Sequence, residues 1–347
     1  MLLLTGHNHG LAAVAPERTH GRQMEAWQFP LVGYLARPSV YHGTPGMAPP
    51  APMRSKLVSW LIAIRPHTLT MTVAPVLVGT ALAWHQAGQI HGLAVAVALL
   101  GGLLIQAATN LYNDAADCVL GHDGGDRLGP PRCVASGIFT ARQVQRMALL
   151  FFFLAALAGL YLVHIGGIPI LVLGILSILS GWGYSGGPRP IAYGPFGELF
   201  VIVFFGLGAV GGTCWLAGGF IAAETMLAGL AIGAFASAVL LVNNYRDIAC
   251  DTRAGRRTLS IVAGTAWSKR LYVLFMALPF ILLLIIMTMS STPGLVLGLP
   301  FAVLPASFYL CRLFVREPQG MIFNMILKRT AQTQLAYGCL LGVGLVL

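Results

Sequence analysis

Long apolar runs fill this chain, and two of them end in clusters of carboxylates. Asn110-Leu-Tyr-Asn113-Asp114-Ala-Ala-Asp117 closes one run and Asn243-Asn244-Tyr-Arg-Asp247-Ile-Ala-Cys-Asp251 closes another. On an α-helix Asn110, Asn113, Asp114 and Asp117 fall at i, i+3, i+4 and i+7 and share a face, as do Asn243, Asp247 and Asp251 at i, i+4 and i+8. Ionisable groups at membrane depth are expensive and face a bundle interior, a cavity or a ligand rather than lipid. The fold must therefore bring two polar stripes inward while presenting carbon outward.

With 57% hydrophobic and 9% charged residues among 347, a soluble globular domain is excluded. Spans of roughly 20 residues cross about 30 Å of hydrocarbon. On that measure we read nine, near 57 to 84, 91 to 112, 144 to 164, 168 to 186, 196 to 216, 220 to 244, 270 to 290, 294 to 315 and 325 to 347. The expected fold is an all-α polytopic membrane bundle lying in the lipid bilayer.

Basic residues set its orientation, because short loops rich in Lys and Arg stay cytoplasmic. Arg54, Lys56 and Arg65 open the first span, and Arg127, Arg132, Arg142 and Arg146 separate the second from the third. Arg189 follows the fourth; Arg246, Arg253, Arg256, Arg257, Lys269 and Arg270 follow the sixth. The opposite connections, 85 to 90, 165 to 168, 217 to 224 and 290 to 294, hold neither Lys nor Arg. Both acidic clusters and the N-terminus are thus expected in the cytoplasm, with cap loops over the site and the C-terminus across the membrane. The net charge of +10 is then a topology signal, with no nucleic-acid pattern beside it.

Residues 1 to 52 are rich in Gly, Pro and His, lack a sustained apolar span, and read as a disordered N-terminal extension; 53 to 347 form the membrane domain. The six cysteines show no Cys-x-x-Cys pair or metal-ligand spacing and read as reduced and structural.

Carboxylates flanked by amide oxygens are hard ligands suited to Mg²⁺, which takes one or two of them and completes its shell with water and phosphate oxygens. Asp114, Asp117, Asp123 and Asp126 on one side and Asp247 and Asp251 on the other could hold Mg²⁺ bridging a diphosphate, with Arg127, Arg132, Arg189, Arg246, Arg253, Arg256 and Arg257 as direct contacts. A prenyl chain attached to that diphosphate would lie among apolar helices. Tyr112, Tyr184 and Tyr245 offer ring faces to an allylic cation. Blander readings compete: an Asp beside an Arg in a loop is usually a solvated ion pair, as for Asp126 with Arg127 and for Arg256 and Arg257, and Asn110 and Asn244 could simply bond neighbouring helices. A cation pathway could also use paired acids. Yet six of the nine acids after residue 53 lie in these two segments, where a conduit needs polar groups at several depths.

At these residues the chain resembles the UbiA-type intramembrane prenyltransferases. The likeness runs through Arg65-Pro-His-Thr-Leu69, Ala74-Pro-Val-Leu-Val-Gly79, the first acidic segment to Asp123, Asp126-Arg-Leu-Gly-Pro-Pro-Arg132, Tyr184-Ser-Gly-Gly-Pro-Arg-Pro190, Gly197-Glu198, Phe204-Phe-Gly206 and Val242 to Leu259. The superfamily pattern Asn-Asp-x-x-Asp-x-x-x-Asp is altered here: Gly121 stands at its last position and Asp123 follows. That departure is similar to the branch acting on 1,4-dihydroxy-2-naphthoate and argues against 4-hydroxybenzoate. The resemblance implies a bacterial cytoplasmic-membrane enzyme of menaquinone biosynthesis. It implies that Asp114, Asp117, Asp247 and Asp251 are catalytic, and that with Asn113 and Asp123 they bind Mg²⁺ and diphosphate. Asn110, Arg127, Tyr184, Arg189, Asn243 and Asn244 are then expected at the substrates, and Arg65 or Arg132 at the acceptor carboxylate. The implied reaction joins a polyprenyl diphosphate to the naphthoate with loss of CO₂ and diphosphate; homogentisate or a specialised aromatic metabolite is the alternative acceptor, and a cation-coupled transporter the alternative class.

Overall fold

Three chain breaks organise the bundle, and each has a local cause. In the computed structural model, which describes residues 56–120, 128–130, 132–290 and 294–347, helix α1 (Lys56–Ile64) stops at Arg65, whose φ of 59° is left-handed. Pro66 then opens α2 (Pro66–Ala87), where its missing N–H has no carbonyl to serve. Gly88, at φ 68°, closes α2 with its N–H on Trp84 O before α3 (Gly92–Val119) begins. The N-terminal extension, Asp123, Asp126 and Arg127 lie outside the described residues.

The second break is in α4 (Ala141–Gly183), which starts at a capping box formed by Thr140 and Gln143. Its 43 residues would extend about 64 Å if straight. Instead Gly167, at φ 68° beside Pro169, folds the helix back: a Cβ placed on Gly181 would stand 3.1 Å from Phe152 and against Thr109 of α3. Helix α4 is thus a hairpin. It faces outward, with Leu149, Leu150, Phe153, Leu160 and Ile168 exposed, as a lipid-facing surface requires.

The third irregularity is a π-helical stretch, Ile202–Gly208, between α5 (Gly197–Val201) and α6 (Ala209–Leu216). It sits where the chain presses on α7 (Ala223–Arg246), with Gly206 against Gly229 and Gly233. Helix α7 is the most enclosed span, built from small residues such as Ala231, Ala234 and Ala238 with Phe235 among them. After short α8 (Ile248–Arg253) come α9 (Leu259–Met289), α10 (Gly294–Leu297), α11 (Leu304–Arg316) and α12 (Ile322–Val346).

Among the described residues seven helices are long and apolar enough to cross a membrane, against nine spans read from the sequence. Two differences account for this. Two of the expected spans lie in the α4 hairpin, and the last is α12, whose buried face carries polar residues among apolar ones. There Thr330 meets the Tyr272 hydroxyl at 2.7 Å, Gln334 donates to Ile232 O at 3.2 Å, and the Tyr337 hydroxyl donates to Pro279 O at 2.8 Å. Around these bonds Phe235, Phe280 and Tyr337 pack edge to face or tilted, with centroids 5.2 to 6.1 Å apart.

The glycine contact on α7 is directly testable. A Cβ on Gly206 would lie 2.5 Å from Gly229 O and 2.8 Å from Gly233 Cα, so Gly206→Val should destabilise the bundle by about 2 kcal/mol. Thermal melts in detergent will show a lowered midpoint; Gly159→Val, where a Cβ meets nothing, should show little change.

Candidate active site

The break at Arg65 exposes carbonyls that α3 must satisfy. Asn110 Nδ2 donates to Ile64 O at 2.9 Å and to Thr68 Oγ1 at 3.0 Å, while the Thr68 hydroxyl donates to Arg65 O at 2.9 Å. A left-handed residue other than glycine costs roughly 1–2 kcal/mol. Here it turns the Arg65 guanidinium to Asn113, with Nη2 donating to Oδ1 at 3.2 Å.

One turn further along α3, Asp117 is the hub of an ion network. Its Oδ2 pairs with Arg132, which follows α3, and its Oδ1 with Arg256, which follows α8. Arg256 reaches the second acidic segment as well, placing Nη1 3.0 Å from Asp251 Oδ1. Arg132 also donates to Asn113 Oδ1 at 3.1 Å, and Asn113 donates to the Ser185 hydroxyl at 2.9 Å. The Asp117 and Arg132 side chains are 3% and 8% exposed and Arg256 12%, so water screens these charges little. Burial pushes the Asp251 carboxyl up to about 6; Arg256 opposes the shift, and the neighbouring Asp247 and Asp117 add to it. Burial also lifts the Tyr184 hydroxyl above its ordinary range, with Glu198 and the site carboxylates adding to the effect.

Asp247 has its own cation. Arg246 binds it bidentately, at 2.8 and 2.6 Å, and also donates to Asn243 Oδ1 at 2.9 Å and Asn324 Oδ1 at 2.7 Å. Asn324 in turn donates to Leu128 O, tying α12 to the connection after α3.

A cavity of about 550 Å³ opens below these groups. Arg65, Asn110, Asn113, Asp117 and Arg132 line it from one side. Tyr184, Asn243, Asn244, Asp247 and Asp251 line it from the other, so residues of both acidic segments meet there. Asp114 does not share that surface: it is 2% exposed and set back towards Cys133, whose thiol is pushed up by burial and then by the Asp114 charge. Arg189 is exposed and outside the cavity lining, as are Arg253 and Arg257. Tyr245 packs between Phe314 and Phe323, and Tyr112 lies against the α1–α3 core. Of the three expected ring faces, only Tyr184 borders the cavity.

Several polar residues here were not read as site residues. Gln106, Thr68 and Thr72 line the cavity deeper along α2 and α3, Ser185 holds Asn113, and buried Glu198 accepts from Asn244 at 2.9 Å. Arg256, read both as a diphosphate contact and as part of a solvated pair, is buried between two carboxylates. Among the described residues no three His, Cys, Asp or Glu side chains are grouped as a metal shell requires; arginines stand between the acids.

The sequence pattern of the UbiA prenyltransferase family matches residues 72–325. The chain belongs to that family. This UbiA-family member is 33% identical to the 1,4-dihydroxy-2-naphthoate octaprenyltransferase of Escherichia coli (strain K12), over 84% of this chain and 96% of that one. It is 38% identical to the enzyme of the same name from Mycobacterium tuberculosis, over 72% of this chain and 84% of that one. Its fold is shared with a UbiA homolog from Archaeoglobus fulgidus bound to GPP and Mg²⁺, with a TM-score of 0.61, 16% identity, and coverage of 82% of this chain and 100% of that chain. The UbiA-family chain is therefore a prenyltransferase and an integral membrane protein.

The network around Asp117 yields a stability prediction. Arg256→Met strips a buried cation from Asp117 and Asp251 and should destabilise the enzyme by about 3 kcal/mol. Adding Asp251→Asn should restore part of the loss in thermal melts; equal melts for wild type and Arg256→Met would show that the bridge contributes nothing.

Proposed function

We propose that this prenyltransferase transfers a polyprenyl group from polyprenyl diphosphate to 1,4-dihydroxy-2-naphthoate, releasing CO₂ and diphosphate and giving demethylmenaquinol. The observation that carries the reading is the joining of two charged segments at the mouth of one apolar cavity, which suits a substrate with an anionic head and a hydrocarbon tail. The names of its relatives support the acceptor.

The donor set fits Mg²⁺ in chemistry, since it is all hard oxygen. Asp251 commits only Oδ1 to Arg256, and the anionic oxygens of Asp117 and Asp247 already hold cations. Asp117, Asp247 and Asp251, with Asn113, Asp114 and Asp123 as further donors, would hold Mg²⁺. When bound, the ion would neutralise the diphosphate and so stabilise the leaving group. Arg132 and Arg256, which line the cavity, would exchange a carboxylate for a diphosphate oxygen as charge-assisted donors, with Arg246 behind Asp247. Asn243 and Asn244 add polar contacts at the same level, and we propose Arg127 and Arg189 as outer contacts on approach.

The carbon–oxygen bond of the prenyl diphosphate breaks with its electron pair leaving on diphosphate. An electron-rich ring carbon of the naphthoate then attacks the allylic cation. Departure of the carboxyl group as CO₂ returns its bonding pair to the ring. Arg65, turned inward by its backbone, orients the acceptor carboxylate, and Tyr184 presents a ring face to the cation. The apolar walls exclude water that would quench it. The basic loops support a mouth on the cytoplasmic side, and we propose a bacterial inner membrane for it, as the resemblance implies.

Asp114→Asn or Asp247→Asn should lower turnover at least about a hundredfold without loss of membrane insertion. The assay follows decarboxylated prenyl-naphthoquinone by mass in membranes supplied with both substrates, with and without EDTA. Near-normal turnover in both variants would sink the assignment; product with another aromatic acceptor alone would move the pathway, and solute uptake without diphosphate release would favour transport.

A further inference from the structure

The two long walls of the cavity differ in chemistry. On the side of α4, α5 and the π-helical stretch, Leu162, Leu173, Phe200, Phe204 and Phe205 present carbon, interrupted on α4 by Ser177 and Ser180. On the α2 and α3 side, Asn110, Thr68, Gln106 and Thr72 form a row running inward from the charged mouth. Polar groups at such depth need partners, and the row supplies its own. Gln106 Nε2 donates to Thr68 O at 2.6 Å, and the Thr72 hydroxyl donates to Gln106 Oε1. Asn110 gives its amide hydrogens to Ile64 O and Thr68 Oγ1.

Backbone carbonyls only accept, so Ile64 O and Thr68 O fix which end of each amide is nitrogen. Two functions remain uncommitted: Asn110 Oδ1, an acceptor, and the second N–H of Gln106, a donor. The residues are four apart on α3 and so separated by about 6 Å along the axis, near the spacing of para oxygens on one aromatic ring. Asn110 itself lies one turn inward from Asp114. A ring held there would face the carbon that diphosphate leaves.

We propose that this row is the subsite for the aromatic acceptor, with Asn110 Oδ1 accepting from the hydroxyl next to the carboxylate and Gln106 Nε2 donating to the para oxygen, while the prenyl chain lies on the carbon wall. It rests on the reading of the acceptor as 1,4-dihydroxy-2-naphthoate. A prenyl chain has no atom to match the row. Thr68 and Thr72 act as positioning residues that orient the two amides. If the row served only to join α2 to α3, as polar side chains in membrane helices often do, its loss would lower stability without favouring one substrate over the other.

Steady-state kinetics of the full chain in nanodiscs distinguish these roles, using wild type, Gln106→Met and Thr72→Val. The competing ligand is 1-hydroxy-2-naphthoate, which lacks the para hydroxyl. Gln106→Met should raise KM for the naphthoate about tenfold, the effect of one buried hydrogen bond, and leave KM for polyprenyl diphosphate within about twofold. Thr72→Val, which removes one hydroxyl, should move KM the same way by less. The competitor should inhibit Gln106→Met as well as wild type, because protein and ligand have lost the same bond. An unchanged acceptor KM in both variants, or equal rises for both substrates, overturns the subsite. Wild-type enzyme releasing no diphosphate with 1,4-dihydroxy-2-naphthoate overturns the acceptor reading and the subsite together; turnover with unmoved KM overturns the subsite alone.

Discussion

Carboxylates at the edge of hydrocarbon must meet cations from the same chain or pay the full penalty of desolvation, and Asp117 shows how much structure follows from that requirement. Its two oxygens draw in Arg132 from the connection after α3 and Arg256 from the connection after α8. Because Arg256 also holds Asp251, the ends of two distant spans are clamped at one point, and charge adds to the apolar packing, such as Phe139 on Trp60, that positions the connection after α3. Arg246 does the same for Asp247 and carries the tie on to Asn324 at the start of α12. A site assembled this way holds its cations before any substrate arrives. Binding an anion then becomes an exchange of partners, which limits how many charges must be stripped of water during catalysis.

Irregular backbone gathers around the same cavity. Arg65 leaves the helical region where Asn110 and Asn113 can use the exposed groups, and the π-helical stretch lies where Phe204 and Phe205 border the interior. Non-helical backbone at membrane depth is tolerated where it is buried in protein or lines a cavity, and both irregularities meet that condition.

Helical spacing made the inward stripes legible: Asn110, Asn113 and Asp117 share the cavity surface, as do Asn243 and Asp247 at the end of α7, while Asp251 reaches it from the separate helix α8, past a break the spacing did not foresee. Asp114 belongs to the same predicted stripe but sits at its edge, where a small rotation turns a side chain from the cavity to the core behind. For Arg256 a site contact and a solvated pair both stayed open, because an arginine near acids in a loop has the same local pattern whether solvated or buried; only the fold brings Asp117 to it. Gln106 was hidden for a different reason. One amide within an apolar run reads as a bond between helices, and its uncommitted N–H becomes visible only when its partners are known. The nine spans read from the sequence and the seven long apolar helices of the described residues differ where composition and geometry part: a single glycine divides α4, and α12 buries polar residues that lower its apparent apolarity.

The α4 hairpin also bears on how the chain is built. Its tip, Gly166-Gly167-Ile168-Pro169, carries no charge and no polar side chain to hold it in water. Neither arm is therefore anchored at the tip by a soluble loop. The break is closed by a neighbour rather than by the arms themselves, since Gly166 O accepts from Trp215 Nε1 of α6 at 3.0 Å, and the two arms gain most by entering the bilayer together. One residue thus makes insertion of this segment a single event, and the parity of all later crossings depends on it.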